Sequence, residues 1–180
     1  VFLWPKGWNL AAYRTVFTDR TILRSFGFTC LLTVIYTAVT MVMTILCAYP
    51  LSKRNLKGRT AVLMMITFTM YFSGGTIPSY LLVSDLKMLN TIWALILPGA
   101  VNTFNMIVMK SFFTSIPDSL EESAVIDGAG HLRTLVSVIL PLSMPIIATL
   151  SLFYAVARWN MFSDALYYIN DPKMYPLQLK

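Results

Sequence analysis

No charged residue lies between Arg24 and Lys53, between Arg59 and Asp85, between Lys87 and Lys110, or between Arg133 and Arg158. Each gap exceeds the ~20 predominantly apolar residues that a membrane helix needs. A soluble four-helix bundle would carry a polar face on every helix. Composition points the same way: 12% of residues are charged and the mean hydropathy is +0.66, against about 25% charged in soluble domains. The chain reads as an all-α membrane protein, a polytopic helical bundle with spans at about residues 25–51, 60–83, 91–113 and 135–157.

The net charge of +6 is not a nucleic-acid signal. Of fourteen basic residues, Lys53, Arg54, Lys57 and Arg59 crowd one short loop without an acid, as the positive-inside rule expects of a cytoplasmic loop. That loop, 52–59, sets the topology. The first span runs inward, the second outward, the third inward and the fourth outward. The 114–134 loop then also lies inside. Residues 1–24 oppose the rule, because they carry four basic residues on the expected outer side. Trp4, Trp8, Tyr13 and Phe17 among those cations suit an amphipathic segment at the interface or a frayed terminal segment.

Polar residues inside the spans are candidates for a transport path or for helix packing. Thr29, Thr33, Thr37, Thr40 and Thr44 recur at helical spacing on one face. They form either a close-packing seam or a polar wall, with Thr37 as a path candidate. Asn102 and Asn105 share a face of the third span and either pair between helices or contact a polar solute. Arg158-Trp159-Asn160 ends the fourth span at an interface, with Asn160 a further path candidate. Ser73-Gly74-Gly75-Thr76 and Pro78 interrupt the second span, as a kink or as a broken helix at a substrate site. Pro141 and Pro145 predict a bend near the inner end of the fourth. Cys30 and Cys47 lie on one helix about 25 Å apart and cannot bond to each other.

The stretch from Pro117 to Pro145 is the most informative. Pro117 opens a short helix, Asp118-Ser119-Leu120-Glu121 has the form of a capping box, and Gly128 and Gly130 stop it. Glu122-Ser123-Ala124, three residues, Gly128, nine residues, then Val138-Ile139-Leu140-Pro141 resembles the cytoplasmic signature loop (the EAA motif) of ABC-importer permease subunits. Ser123 stands where that pattern has Ala, and Val138 where it has Ile. The Ile126-Asp127-Gly128-Ala129 core, Leu140-Pro141 with Pro145, Ala48-Tyr49-Pro50, Trp159-Asn160 and Tyr175-Pro176-Leu177-Gln178-Leu179 look like its sugar branch, similar to the maltose-type second permease subunit.

The resemblance implies a binding-protein-dependent importer of the bacterial inner membrane that carries a carbohydrate, an oligosaccharide or related polar solute. It implies a six-span subunit of which this chain holds four, with residues 158–180 as an outer loop before a further span. It implies docking of the 117–130 loop in a groove of a cytoplasmic ATPase, through Glu121, Glu122, Ser123, Ala124, Ile126, Asp127, Gly128, Ala129 and Pro141. Partners would be ATP-binding subunits, a second, related permease and an extracellular solute-binding protein. Nucleic acid is not among them.

No enzyme site is expected. His131 has no Cys or carboxylate at metal-ligand spacing, and the chain has neither a phosphate-binding Gly-rich lysine loop nor a Gly-x-Ser-x-Gly elbow. No cofactor is expected, ATP being bound by the partner. Asp118, Glu121, Glu122 and Asp127 lie on a loop rather than in a pocket. The alternatives are a gradient-driven secondary transporter or channel, and a non-transporting scaffold. Against the first, no span carries the acidic residue that proton or sodium coupling often uses.

Overall fold

The computed structural model describes residues 18–72 and 74–179. Helix α1, Arg20–Ser52, is its axis. Asp19 caps it by accepting the Thr21 N–H at 2.8 Å. At 1.5 Å per residue its 33 residues extend about 50 Å, well beyond the ~30 Å of a bilayer's hydrocarbon. It begins about a turn before the expected span and ends with it, the Lys53 N–H returning to the Pro50 carbonyl at 3.1 Å.

One stripe of α1 is buried, including Thr29, Leu32, Thr40, Thr44 and Ala48, while Leu31, Val34, Val42 and Leu46 are exposed. The threonine face therefore points inward. Thr29 and Thr40 donate to the carbonyls of Ser25 and Tyr36, each at 2.8 Å. Thr44 shares a hydrogen bond of 2.6 Å with the Tyr154 hydroxyl.

The second expected span is two separate helices, α2 (Arg59–Phe68) and α3 (Thr76–Asp85). Each is about 15 Å long by its 10 residues, too short to cross alone. Gly75, at φ +86°, lies in the left-handed half of the map between them. Pro78 falls in the first turn of α3, where no intrahelical N–H is lost; it opens α3 rather than breaking it. Ser73 and residues 1–17, including the expected interfacial aromatics, lie outside the described residues.

The third span is also compound. Helix α4 (Ile92–Ile96) continues as a 3-10 turn to Gly99, and α5 (Thr103–Ser115) follows at 55°. A Cβ on Gly99 would sit 2.8 Å from the Tyr36 hydroxyl, which donates to the Gly99 carbonyl at 3.1 Å. Glycine at this position leaves room for the Tyr36 side chain.

After the short helix α6 (Asp118–Ile126) come α7 (His131–Leu142) and α8 (Met144–Asn160), which meet at 82°. The expected bend is thus a near right-angle corner at Ser143, and residues 135–157 are not one rod. Pro141 cannot donate to the Ser137 carbonyl, and a π segment, Leu135–Ile139, precedes it. Pro145 sits in the first turn of α8.

Helices α1, α5 and α8 enclose the main core, with Met41, Ala48, Met106, Met109, Leu150 and Tyr154. At the Asp19 end of α1 a second cluster joins Leu32, Leu95 and Ile96 to Ala165 and Ile169. The last two come from the chain's final segment, α9 (Ser163–Tyr168) and two 3-10 turns. Expected as a loop, this segment is packed down. Asn90 Oδ1 accepts the N–H groups of Asn170 and Asp171 at 3.1 and 3.0 Å. Thr29 Oγ1 accepts that of Leu177 at 2.8 Å. Among the described residues there is no strand. Among the described residues, one helix is long and apolar enough to cross a membrane, or up to three elements if each bent pair counts as one.

Candidate functional site

The motif residues build α6 and its exit. The expected capping box does not form. Pro117 holds the N-cap position and Asp118 is already the first helical residue. The Glu121 carboxylate reaches across to pair with Lys53 instead of folding back on Asp118. The other end is closed as the glycine predicts. Gly128 adopts φ +79°, its N–H bonds the Val125 carbonyl, and the Ala129 N–H bonds the Ala124 carbonyl, both at 2.9 Å. That doublet is a Schellman motif.

No residue of α6 is buried. Glu122, Ser123 and Asp127 are exposed, Ala124 and Ala129 half-buried. Ile126 is 84% exposed and its neighbour Val125 is exposed as well, unusual for large apolar side chains in succession. Pro141 is exposed too, but on α7 beyond the π segment. The motif thus presents an apolar ridge flanked by carboxylates. Between α6 and the basic loop lies a cleft of about 780 Å³, bordered by Lys53, Arg54, Ser115, Asp118 and Glu122.

The path candidates fall in two places. Thr37 is half-buried on α1; its hydroxyl and that of Thr33 have no hydrogen-bond partner. Asn160 donates to the Val156 carbonyl at 2.8 Å and, with Thr33 and Trp159, borders a cleft of about 250 Å³. Asn102 and Asn105 lie elsewhere. Asn102 is exposed in the break before α5 and caps that helix, its Oδ1 accepting the Asn105 N–H at 3.0 Å; Asn105 is buried. The Asn102 side chain and the Asn105 backbone N–H thus form a helix cap, rather than the mid-helix face that the spacing suggests.

Arg158, expected to end a span at an interface, is buried, with 1% of its side chain exposed. Nη1 donates to the Leu95 carbonyl at 3.0 Å and pairs with Asp164 at 3.2 Å. The guanidinium stands 5.5 Å from the centre of the Tyr36 ring. Nε and Nη2 have no partner. One arginine thereby ties α8 to α4, α9 and α1. In the same segment, burial and then the charge of Asp164 push the Tyr168 phenol above its ordinary value. The one signal for Arg158 in the sequence is an acid six residues after a cation that closes an apolar run. Among the described residues no group of His, Cys, Asp or Glu could hold a metal ion.

A family model described as the binding-protein-dependent transport system inner membrane component matches residues 40–178. Protein LplC of Bacillus subtilis is 51% identical over 99% of this chain and 60% of its own length. The polygalacturonan/rhamnogalacturonan transport system permease protein YtcP of the same organism is 49% identical over 97% of this chain and 61% of its own. A solved bacterial ABC transporter involved in importing the acidic polysaccharide alginate superposes with a TM-score of 0.94. It is 36% identical, over 99% of this chain and 64% of that one. The chain thus spans about three fifths of the length of these curated relatives.

Proposed function

The chain belongs to the inner-membrane components of binding-protein-dependent transport systems, and from that membership we propose that it serves as a permease subunit of an ATP-driven carbohydrate importer. Its solute is a carbohydrate, which we take to be an oligosaccharide; the names of YtcP and of the alginate importer support a carbohydrate. ATP is bound and hydrolysed on a cytoplasmic partner. A second permease completes the path, and an extracellular binding protein delivers the solute. The chain lies in a bacterial plasma membrane with loops 52–59 and 114–134 in the cytoplasm. The crossings are α1, the interrupted pair α2 and α3, the bent pair α4 and α5, and α8.

The observation that carries this reading is α6 itself: a helix with no buried residue, closed by a Schellman turn at Gly128, with Ile126 projecting beside Glu122 and Asp127. An apolar ridge with carboxylate flanks fits a groove with an apolar floor and a basic rim. The ridge supplies buried area, and the carboxylates supply charge-assisted bonds. Glu121 is turned inward to Lys53, which leaves Glu122 and Asp127 as the carboxylates that meet the ATPase. The solute path runs along the α1–α8 seam, where the Thr33 and Thr37 hydroxyls and the Asn160 amide offer hydrogen bonds to sugar hydroxyls. Asn102 stands exposed in the break between α4 and α5, with Asn105 buried in the first turn of α5 behind it.

The test is co-purification of the full-length protein with its chromosomal neighbours. An ATPase and a second permease should come down with wild type, and Gly128→Asp should release the ATPase. Purification of the permease alone would contradict the reading.

A further inference from the structure

Among the described residues, the Lys53–Glu121 pair is the one side-chain hydrogen bond that joins α6 to the rest of the chain. Lys53 immediately follows α1. Its ammonium stands 4.5 Å from the centre of the Tyr49 ring, and that ring meets Phe113 of α5 edge-on at 6.2 Å. Tyr49 and Phe113 are both buried. The cation therefore lies between a fixed aromatic ring and the α6 carboxylate, and both contacts favour one lysine position.

The opposite end of α1 is bonded as well. Thr29 Oγ1 accepts the Leu177 N–H at 2.8 Å while donating back to Ser25. At the middle of α1, Tyr36 donates to the Gly99 carbonyl and faces the Arg158 guanidinium. A single continuous helix, with Pro50 in its last turn, thus runs from the docking helix to the packed final segment. The alternative route from α6, through α7 into α8, passes a π segment and an 82° corner at Ser143, a geometry that flexes more readily than a continuous α-helix.

We infer that Lys53 is a positioning residue for coupling: it clamps the ATPase-docking helix to α1, so that α1 and α6 move as one body and carry the ATPase stroke to the segment around Leu177. The inference rests on the docking reading above. It assigns the stroke to α1 rather than to α7 and α8 alone. The ion pair lies near the surface and would contribute little stability by itself; its role is to fix geometry.

The test places spin labels on the full-length permease, assembled with its second permease and ATPase in lipid nanodiscs. Cys30 and Cys47 are first replaced by serine. Labels go at the exposed positions Met43 on α1 and Ser119 on α6. One narrow distance is expected, unchanged between the nucleotide-free and ATP-trapped complexes. Lys53→Glu should broaden and shift it, and Lys53→Glu with Glu121→Lys should restore the narrow peak. A wild-type distance that changes by several Å on ATP trapping would overturn the inference, as would a narrow peak in Lys53→Glu or a swap that fails to restore it. The comparison of variants without nucleotide needs no bound ATPase, and ATPase co-purification is scored separately. Loss of the docking reading and loss of the clamp are therefore told apart. Lys53→Met covers the case in which charge reversal blocks assembly: its peak should broaden too, and a wild-type peak there would overturn the clamp.

Discussion

The Arg158 guanidinium donates to the Leu95 carbonyl at 3.0 Å, joining two helices that stand 63 residues apart in the chain. The same nitrogen pairs with Asp164, so removing the side chain strands a buried carbonyl and a half-buried carboxylate together. Breaking a fully buried pair costs about 3–5 kcal/mol. Asp164 keeps 28% of its side chain exposed, which brings the expected loss for Arg158→Met to about 1–3 kcal/mol. Thermal unfolding of the full-length protein in detergent should show this, with early proteolysis within residues 161–179. Arg158→Lys should recover part of it, since an ammonium can reach only some of these acceptors.

At Gly99 the prediction is steric. A Cβ would lie 2.8 Å from the Tyr36 hydroxyl, so Gly99→Ala should destabilise by about 1–3 kcal/mol, as overpacking does. Tyr36→Phe removes the atom in the way along with one hydrogen bond. The double variant should therefore be more stable than Gly99→Ala alone. Equal melting temperatures for the two would show that the close approach does not matter.

Thr44 and Tyr154 share one buried bond at 2.6 Å. Thr44→Val leaves the phenol without its partner and should cost about 1–3 kcal/mol. Adding Tyr154→Phe removes the stranded group and should return most of that loss. A double-mutant cycle on thermal stability measures the coupling, and additive losses would contradict it.

Gly128 separates strain from packing. Nothing lies within 4 Å of a Cβ built there, yet its φ is +79°. Gly128→Ala should therefore weaken the α6 exit by about 1 kcal/mol through backbone strain alone, and Gly128→Asn by less, because asparagine tolerates that region. Gly128→Val should be worst. ATPase retention by the purified complex should fall in the order Gly, Asn, Ala, Val.

The parts of this architecture that were legible in the sequence are those fixed by local chemistry. The uncharged run from Ser25 to Ser52 marked α1 because a long apolar helix needs no partner to be recognised. The threonine spacing marked its buried face, and Gly128 marked the end of α6. The bend expected from Pro141 and Pro145 is present, as the 82° corner at Ser143. The interruption expected around Pro78 is present too, but Pro78 opens α3 rather than breaking a helix, a distinction set by where the first turn falls. The capping box at Asp118 failed because Lys53, 68 residues away, outcompetes the local bond for Glu121. Arg158 read as an interface residue because its acceptors at Leu95 and Asp164 come together only on folding. The Asn102–Asn105 spacing was real, but a break in the helix turned a shared face into a cap.

The central claim is that the exposed ridge of α6 is the surface that holds the ATPase. The most direct test is affinity purification of the full-length permease carrying Ile126→Asp, co-expressed with its ATPase and second permease. Ile126 touches solvent over 84% of its surface, so the substitution should leave the permease folded and paired with the second permease. The account predicts that the ATPase is lost from the purified complex while the two permeases stay together. An ATPase that co-purifies with Ile126→Asp at the wild-type ratio would contradict it.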